Sequence, residues 1–294
     1  MFLPLRDALP TSRVPIITIL LVLLNVLVFL MGFAPADKQA AGSTRQITNH
    51  DVCLVEYGAI PCELMGRCAN QDAIVVVDGG IFDPAPRSIS AKVDEHPPVL
   101  TLITSMFLHG SFLHLLFNLL FLWVFGNNVE DAMHRLGFLG FYIVTGMAAG
   151  VAQAVVAASE TVPTVGASGA IAAVLGAYMF LYPRARVFTL VFFPIFLWLP
   201  AWLVIGGWGF VQAIGTWTSV LAPAGLEGGV AYMAHLAGFV LGLATIAFFA
   251  ERRNPNYRLL YGDGTQPVHP AEVPRRTKSP QPPSSSSRGE GPFL

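Results

Sequence analysis

The chain has 294 residues, of which 54% are apolar and only 12% charged, with a formal net charge of −1. A soluble domain carries about a quarter charged residues, so a water-facing globular enzyme is excluded, and without a basic cluster so is a nucleic-acid partner. Between Arg135 and Glu251 the charges are Glu160, Arg184, Arg186 and Glu227 alone; such stretches are membrane spans, since roughly 20 apolar residues cross the hydrocarbon core.

In chain order, a short N-terminal segment (1–13) leads to a first span at about 14–33. Ala34-Pro35-Ala36 has the look of a small-residue cleavage site. The preceding apolar run exceeds the about 7–15 residues of a cleaved signal, and Pro35 adjoins the cut, so this helix is expected to be retained. A long loop at about 34–111 holds Cys53, Cys62 and Cys68. In an oxidising compartment one disulfide would staple that loop and leave one thiol over. A structural bridge or free thiols is the reading favoured over a metal site, and neither a metal nor a cofactor is expected.

Five further spans follow, at about 112–127, 138–158, 168–183, 187–210 and 229–250. Pro194 and Pro200 fall within the fifth, where each breaks a ladder bond, so that helix is expected to be kinked or irregular. From about Asn254 the Pro, Ser and basic residues cannot form a packed core and predict a disordered tail. The expected fold is thus all-α, a multi-pass membrane domain of six helices over 14–250, followed by a tail at 251–294.

The basic residues set an orientation. Arg6, Arg13, Arg135, Arg184, Arg186 and all seven basic residues of the tail fall on one side, whereas the short loops 159–167 and 211–228 hold none. The long loop carries Lys38, Arg45, Arg67, Arg87 and Lys92, but long loops translocate largely regardless of charge. Both termini are therefore expected to be cytoplasmic, in a bacterial inner membrane or a plasma membrane.

Polar side chains at membrane depth are costly and need a reason. His114 and Asn118 lie in the second span, Ser168 opens the fourth and His235 lies in the sixth. Counted back from Glu130, Arg184 and Arg252, His114, Ser168 and His235 all sit about 24–26 Å above the inner boundary at 1.5 Å per helical residue. Asn118 is one turn deeper on the His114 face. Ser168 stands in Gly166-Ala167-Ser168-Gly169-Ala170, where small neighbours leave the hydroxyl uncovered and the helix start leaves its N–H without an intrahelical acceptor. His235 is followed by Gly238 and Gly242, a small-residue face for close helix packing. Together these predict a nucleophile beside a base. The expected spans hold no Asp or Glu, so no triad carboxylate is expected, and His114 and Asn118 suit an oxyanion hole. Each residue alone is explained by capping or packing; four packing accidents need not share a depth.

These residues resemble the rhomboid intramembrane serine proteases. The match rests on His109-Gly110-Ser111-Phe112-Leu113-His114-Leu115-Leu116-Phe117-Asn118, on Gly166-Ala167-Ser168-Gly169 with Gly176-Ala177-Tyr178, and on His235-Leu236-Ala237-Gly238-Phe239-Val240-Leu241-Gly242. The resemblance covers about residues 100–250. It implies a six-helix rhomboid-like bundle with a wet cavity, Ser168 as nucleophile, His235 as general base, and His114 and Asn118 as oxyanion donors. Substrates would be transmembrane segments of other proteins in the bilayer, entering between the second and fifth helices. Two features depart from the family pattern. The stretch 99–106 lacks the Trp-Arg pair many members carry, and Ala172 stands where some members place an aromatic ring against the histidine.

Rival readings fare worse. An α/β-hydrolase elbow needs a glycine at 170 and a soluble sheet, but Ala170 stands there. No His-Glu-x-x-His occurs, Gly262-Asp263-Gly264 lies outside the spans, and no inverted repeat marks a transporter. A catalytically silent rhomboid-like binder would usually lack the Ser or His, and both are present.

Overall fold

A computed structural model describes residues 3–32, 49–68, 72–77, 87–92, 97–221, 231–251 and 254–261. The N-terminus forms strand β1 (Leu3–Asp7) and then helix α1 (Ile16–Met31). The long loop contributes α2 (Asn49–Tyr57), α3 (Pro61–Leu64), a hairpin of β2 (Asp72–Val77) and β3 (Arg87–Lys92), and α4 (Pro98–Thr104). Of the three loop cysteines, Cys62 and Cys68 form a disulfide and Cys53 is a free thiol.

The second span is composite. Helix α5 (Phe112–Phe121) passes through a π-helical turn, Leu122–Gly126, into α6 (Asn127–Ala132). Then come α7 (Arg135–Val156) and α8 (Ser168–Leu181), followed by β4 (Arg186–Phe192), β5 (Ile195–Pro200), α9 (Ala201–Leu221), α10 (Tyr232–Phe249) and α11 (Pro255–Tyr261). Phe112–Ala132, Arg135–Val156 and Tyr232–Phe249 are long and apolar enough to cross a membrane, and Ile16–Met31 and Ser168–Leu181 are apolar but shorter.

Helix α8 is the axis of the fold. Residues 169–178 are buried without interruption, the pattern of a helix enclosed on every side. Its small residues admit α10 at close range. A Cβ added at Gly238 would collide with the Gly169 carbonyl, one at Gly242 with the Ala173 carbonyl, and one at Gly176 with the Phe239 carbonyl. Small-residue contacts of this kind let two helix backbones touch where lipid supplies no hydrophobic drive.

The structure corrects the sequence reading in three places. The chain is not all-α: β1, β4 and β5 form an antiparallel sheet in the order β1-β4-β5, apart from the β2-β3 hairpin. The expected fifth span at 187–210 is half wrong. Its first part is the β4-β5 hairpin, and the helix begins at Ala201 and runs to Leu221. The run Val187 to Leu199 is rich in β-branched and aromatic residues. Pro194 stands at the turn and Pro200 ends β5, so neither proline kinks a helix; together they keep the segment out of one. Within the expected disordered tail, Pro255–Tyr261 form helix α11, which meets two backbone donors past the end of α8. The Arg184 N–H donates to the Tyr257 hydroxyl at 3.4 Å and the Arg186 N–H to the Tyr261 hydroxyl at 3.0 Å. The remainder of the expected disordered tail lies outside the described residues.

Candidate active site

Loop and helix starts bring the polar residues together at one end of α8. The turn before it carries Gly166 at φ +121°, a conformation that side chains resist. Its N–H donates to the Ser105 carbonyl at 2.8 Å. The absent side chain is also needed for space, because a Cβ there would lie 2.7–2.8 Å from the His114 ring. One residue separates Gly166 from Ser168 at the helix start. His114 is held from its own side, since the Ser111 hydroxyl caps α5 by accepting the His114 N–H at 3.2 Å. The buried His109 ring packs edge-on at 5.2 Å.

Ser168 and His235 meet. The Ser168 Oγ lies 2.8 Å from His235 Nε2, a full hydrogen bond between helices 67 residues apart in sequence. The glycine face makes this possible, as Gly238, one turn along α10 from His235, seats against the carbonyl of Gly169, the residue after Ser168. Helix α10 is further pinned by the Gln153 side chain of α7, whose Oε1 accepts the Ala234 N–H at 3.2 Å.

His114 reaches this centre through its contact with Gly166. Asn118 is buried a turn further along α5, and its Nδ2 donates to the His114 carbonyl at 3.0 Å. One of its two amide hydrogens is thus engaged within its own helix, leaving the second to other acceptors.

One residue of the site was not expected. Gln212 of α9 is 7% exposed, and its Oε1 lies 2.9 Å from His235 Nδ1. Trp208, one turn earlier, brings its ring to 6.0 Å from the imidazole at an interplanar angle of 39°. These two side chains support the imidazole where Ala172 supplies no ring. Placing the fifth span at 187–210 left Gln212 in a supposed outer loop, where a glutamine attracts no notice. Within α9 it is a buried amide in an uncharged apolar helix, which is the signal that would have found it. Among the described residues no group of three His, Cys, Asp or Glu side chains is arranged to hold a metal.

An apolar helical bundle that brings a serine, an imidazole and an amide to one centre, with three helices long enough to cross a bilayer, defines an integral membrane protein with a buried polar site. The rhomboid domain model matches residues 96–252, more than half of the chain, and the chain belongs to the rhomboid family. It is similar to "Rhomboid protein 1, mitochondrial" of Saccharomyces cerevisiae, with 29% identity over 149 residues. That match covers 49% of this chain and 40% of the yeast protein, so the chain spans well under half the length of that relative.

Proposed function

We propose that this protein is an intramembrane serine endopeptidase that cuts transmembrane segments of other membrane proteins, with Ser168 as nucleophile and His235 as general base. The observation that carries the reading is the 2.8 Å contact between Ser168 Oγ and His235 Nε2 at a shared depth among apolar helices. Six crossings with both termini cytoplasmic belong to the same proposal.

The chemistry follows from the hydrogen bonds. With Gln212 Oε1 accepting from Nδ1–H, the imidazole carries its proton on Nδ1 and presents the Nε2 lone pair to the serine. Ser168 then attacks the scissile carbonyl carbon as its proton passes to Nε2. The carbonyl oxygen becomes an oxyanion, and His235 next gives that proton to the departing amine. Water repeats the sequence on the acyl-enzyme and frees Ser168. The oxyanion forms near the Ser168 N–H, which has no acceptor inside α8, and near His114 and Asn118, which are its side-chain donors in this reading. Gln212 takes the orienting place of a triad carboxylate. As a neutral amide it fixes the tautomer and lends a dipole rather than a charge.

The test is cleavage of a single-span substrate by the purified protein in liposomes, together with labelling by a fluorophosphonate probe. The parent is expected to cut and to be labelled at Ser168. Ser168→Ala and His235→Ala are each expected to fall by at least about a thousandfold, the scale on which nucleophile or base loss acts in serine proteases. A Ser168→Ala variant that cuts as well as the parent overturns the assignment. An inert, unlabelled parent that still captures single-span proteins supports the silent-binder reading instead.

A further inference from the structure

The β4-β5 hairpin is at the end of α8 remote from Ser168, and its composition conflicts with a water-facing sheet. An antiparallel sheet with one solvated face alternates apolar inward and polar outward. Here the inward positions are apolar or satisfied: Val187 and Thr189 are fully buried against the bundle. The register puts Phe188 opposite Trp198 and Leu190 opposite Phe196, and these four share the other, outward face. They are not polar. The Phe188 and Phe196 rings stack at 5.6 Å, and Trp198 lies 5.1 Å from Phe188 and is 47% exposed. At the tip Phe192 is exposed and Phe193 is 83% exposed. Strand β5 is also an edge, and a long apolar edge in water is an aggregation site that soluble sheets avoid.

The charges complete the pattern. Arg186 opens β4 on the outward face, two residues before Phe188, and Arg6 of β1 pairs with Phe188 on that face. Both arginines are exposed, as is Arg184 just before the hairpin. From base to tip the outward face therefore reads cation, then paired aromatics, then exposed phenylalanine. About six residues at 3.3 Å each make that gradient about 20 Å long. Its order matches a membrane boundary, with phosphates outermost, an amphipathic aromatic layer, then acyl chains. The hairpin runs directly into α9, whose exposed Trp202, Phe210 and Trp217 continue the apolar surface.

We propose that the β4-β5 hairpin is a lipid anchor. It lies against the leaflet remote from Ser168, with Phe192, Phe193 and Phe196 among the acyl chains and Arg6 and Arg186 at anionic headgroups. Because it leads into α9, which also carries Gln212, the anchor fixes the height in the bilayer of the helix that orients His235. The inference rests on the membrane placement of the chain and not on its catalysis.

The experiment uses the full chain with Cys53→Ser to remove the free thiol, in vesicles of phosphatidylcholine and phosphatidylglycerol. An environment-sensitive NBD fluorophore is attached at Phe193→Cys in one sample and at Arg186→Cys in another. The tip probe is expected to emit at shorter wavelength, to be quenched by doxyl groups on lipid chains, and to resist aqueous iodide several-fold better than the base probe. Equal iodide quenching at the two positions overturns the anchor. So does a tip probe shielded from iodide yet untouched by doxyl lipids, whose shielding fades as protein is diluted in lipid; that result assigns the face to a second copy of the chain. Peptide cleavage enters neither readout, so a failed anchor and a failed protease reading are separable.

Discussion

The two ends of α8 are built by opposite rules. At the Ser168 end, room is made by removing side chains, and polar groups converge from four helices with few mutual bonds. At the far end, polar groups are consumed in fastening the chain. Glu130 accepts the Ile17 and Thr18 N–H groups and the Thr18 hydroxyl at 2.7–3.0 Å, capping the start of α1. Asp131 accepts the Ser12 N–H and hydroxyl at 2.9 and 2.7 Å. Asn128 donates to Asp7 at 2.7 Å and to the Leu9 carbonyl at 2.9 Å, while Asn254 donates to Asn128 at 3.0 Å and to the Pro10 carbonyl at 2.9 Å. One end is a clamp, and the other is a site that the clamp leaves free to be sparse.

The largest break in this contrast comes from the glycine face. Gly238→Val sets a branched side chain against the Gly169 carbonyl and is expected to abolish the folded state, with fluorophosphonate labelling lost and the thermal transition gone. Gly206 of α9 is the control, since a Cβ there meets nothing within 4 Å. Gly206→Ala is expected to be neutral or stabilising by up to about 1 kcal/mol through helix propensity. If Gly238→Val melts like the parent, the close α8–α10 contact is not what seats His235.

Gln212 sharpens the comparison at the site end. Gln212→Leu removes the acceptor at His235 Nδ1 with little change of volume, and cleavage is expected to fall by about 10–100-fold, in kcat more than in KM. Gln212→Glu, which keeps an acceptor, is expected to retain more activity than Gln212→Leu even though burying a carboxyl there lowers the thermal midpoint. A loss that tracks the midpoint in both variants makes Gln212 a packing residue and nothing more.

At the clamp end, Glu130→Ala strands three donors at the start of α1. Buried groups left without a partner cost about 1–3 kcal/mol each, although some of these regain water. A net loss of about 2–4 kcal/mol is expected in the thermal or denaturant transition, with the per-molecule cleavage rate of the folded fraction unchanged.

The sequence made the site end readable and the clamp end mostly not. Ser168, His235, His114 and Asn118 are polar residues in apolar runs, and counting residues at a fixed rise brings them level without knowledge of packing. The clamp is made of Asp7, Asn128, Glu130 and Asn254, which stand among other polar residues near the ends of spans, where nothing distinguishes a buried amide from a wetted one. The β4-β5 hairpin misled for a third reason. Its outward face is as apolar as its inward face, so the two-residue alternation that marks a strand is erased and the segment reads as part of a span. Gln212 goes unread with it, because the expected span stops at 210 whereas the helix that carries Gln212 runs on to Leu221.

The smallest expected effect tests whether the clamp rather than the site sets the pH response of stability. Asp7 lies in β1, outside the spans, and its carboxyl is pushed up from 3.8 to about 7, chiefly by burial. Hydrogen bonds from Tyr178 at 2.8 Å and from Asn128, with the nearby Arg6 charge, hold it from rising further. Between those two values the folded chain holds a proton that the unfolded chain has released. Asp7 therefore stabilises the fold fully below about pH 4, and that contribution is lost as pH rises towards 7. Asp7→Asn keeps a carbonyl to accept from Tyr178 and cannot ionise, so its thermal midpoint is expected to decline less between pH 5 and pH 8, pH values chosen to straddle about 7. At a temperature well below either midpoint, the two proteins are expected to share one pH–activity profile, because Asp7 is at the opposite end of α8 from Ser168. Parallel midpoint curves for parent and variant would show that the carboxyl is already charged when folded, and that the strap made by β1 owes its hold to an ionised group.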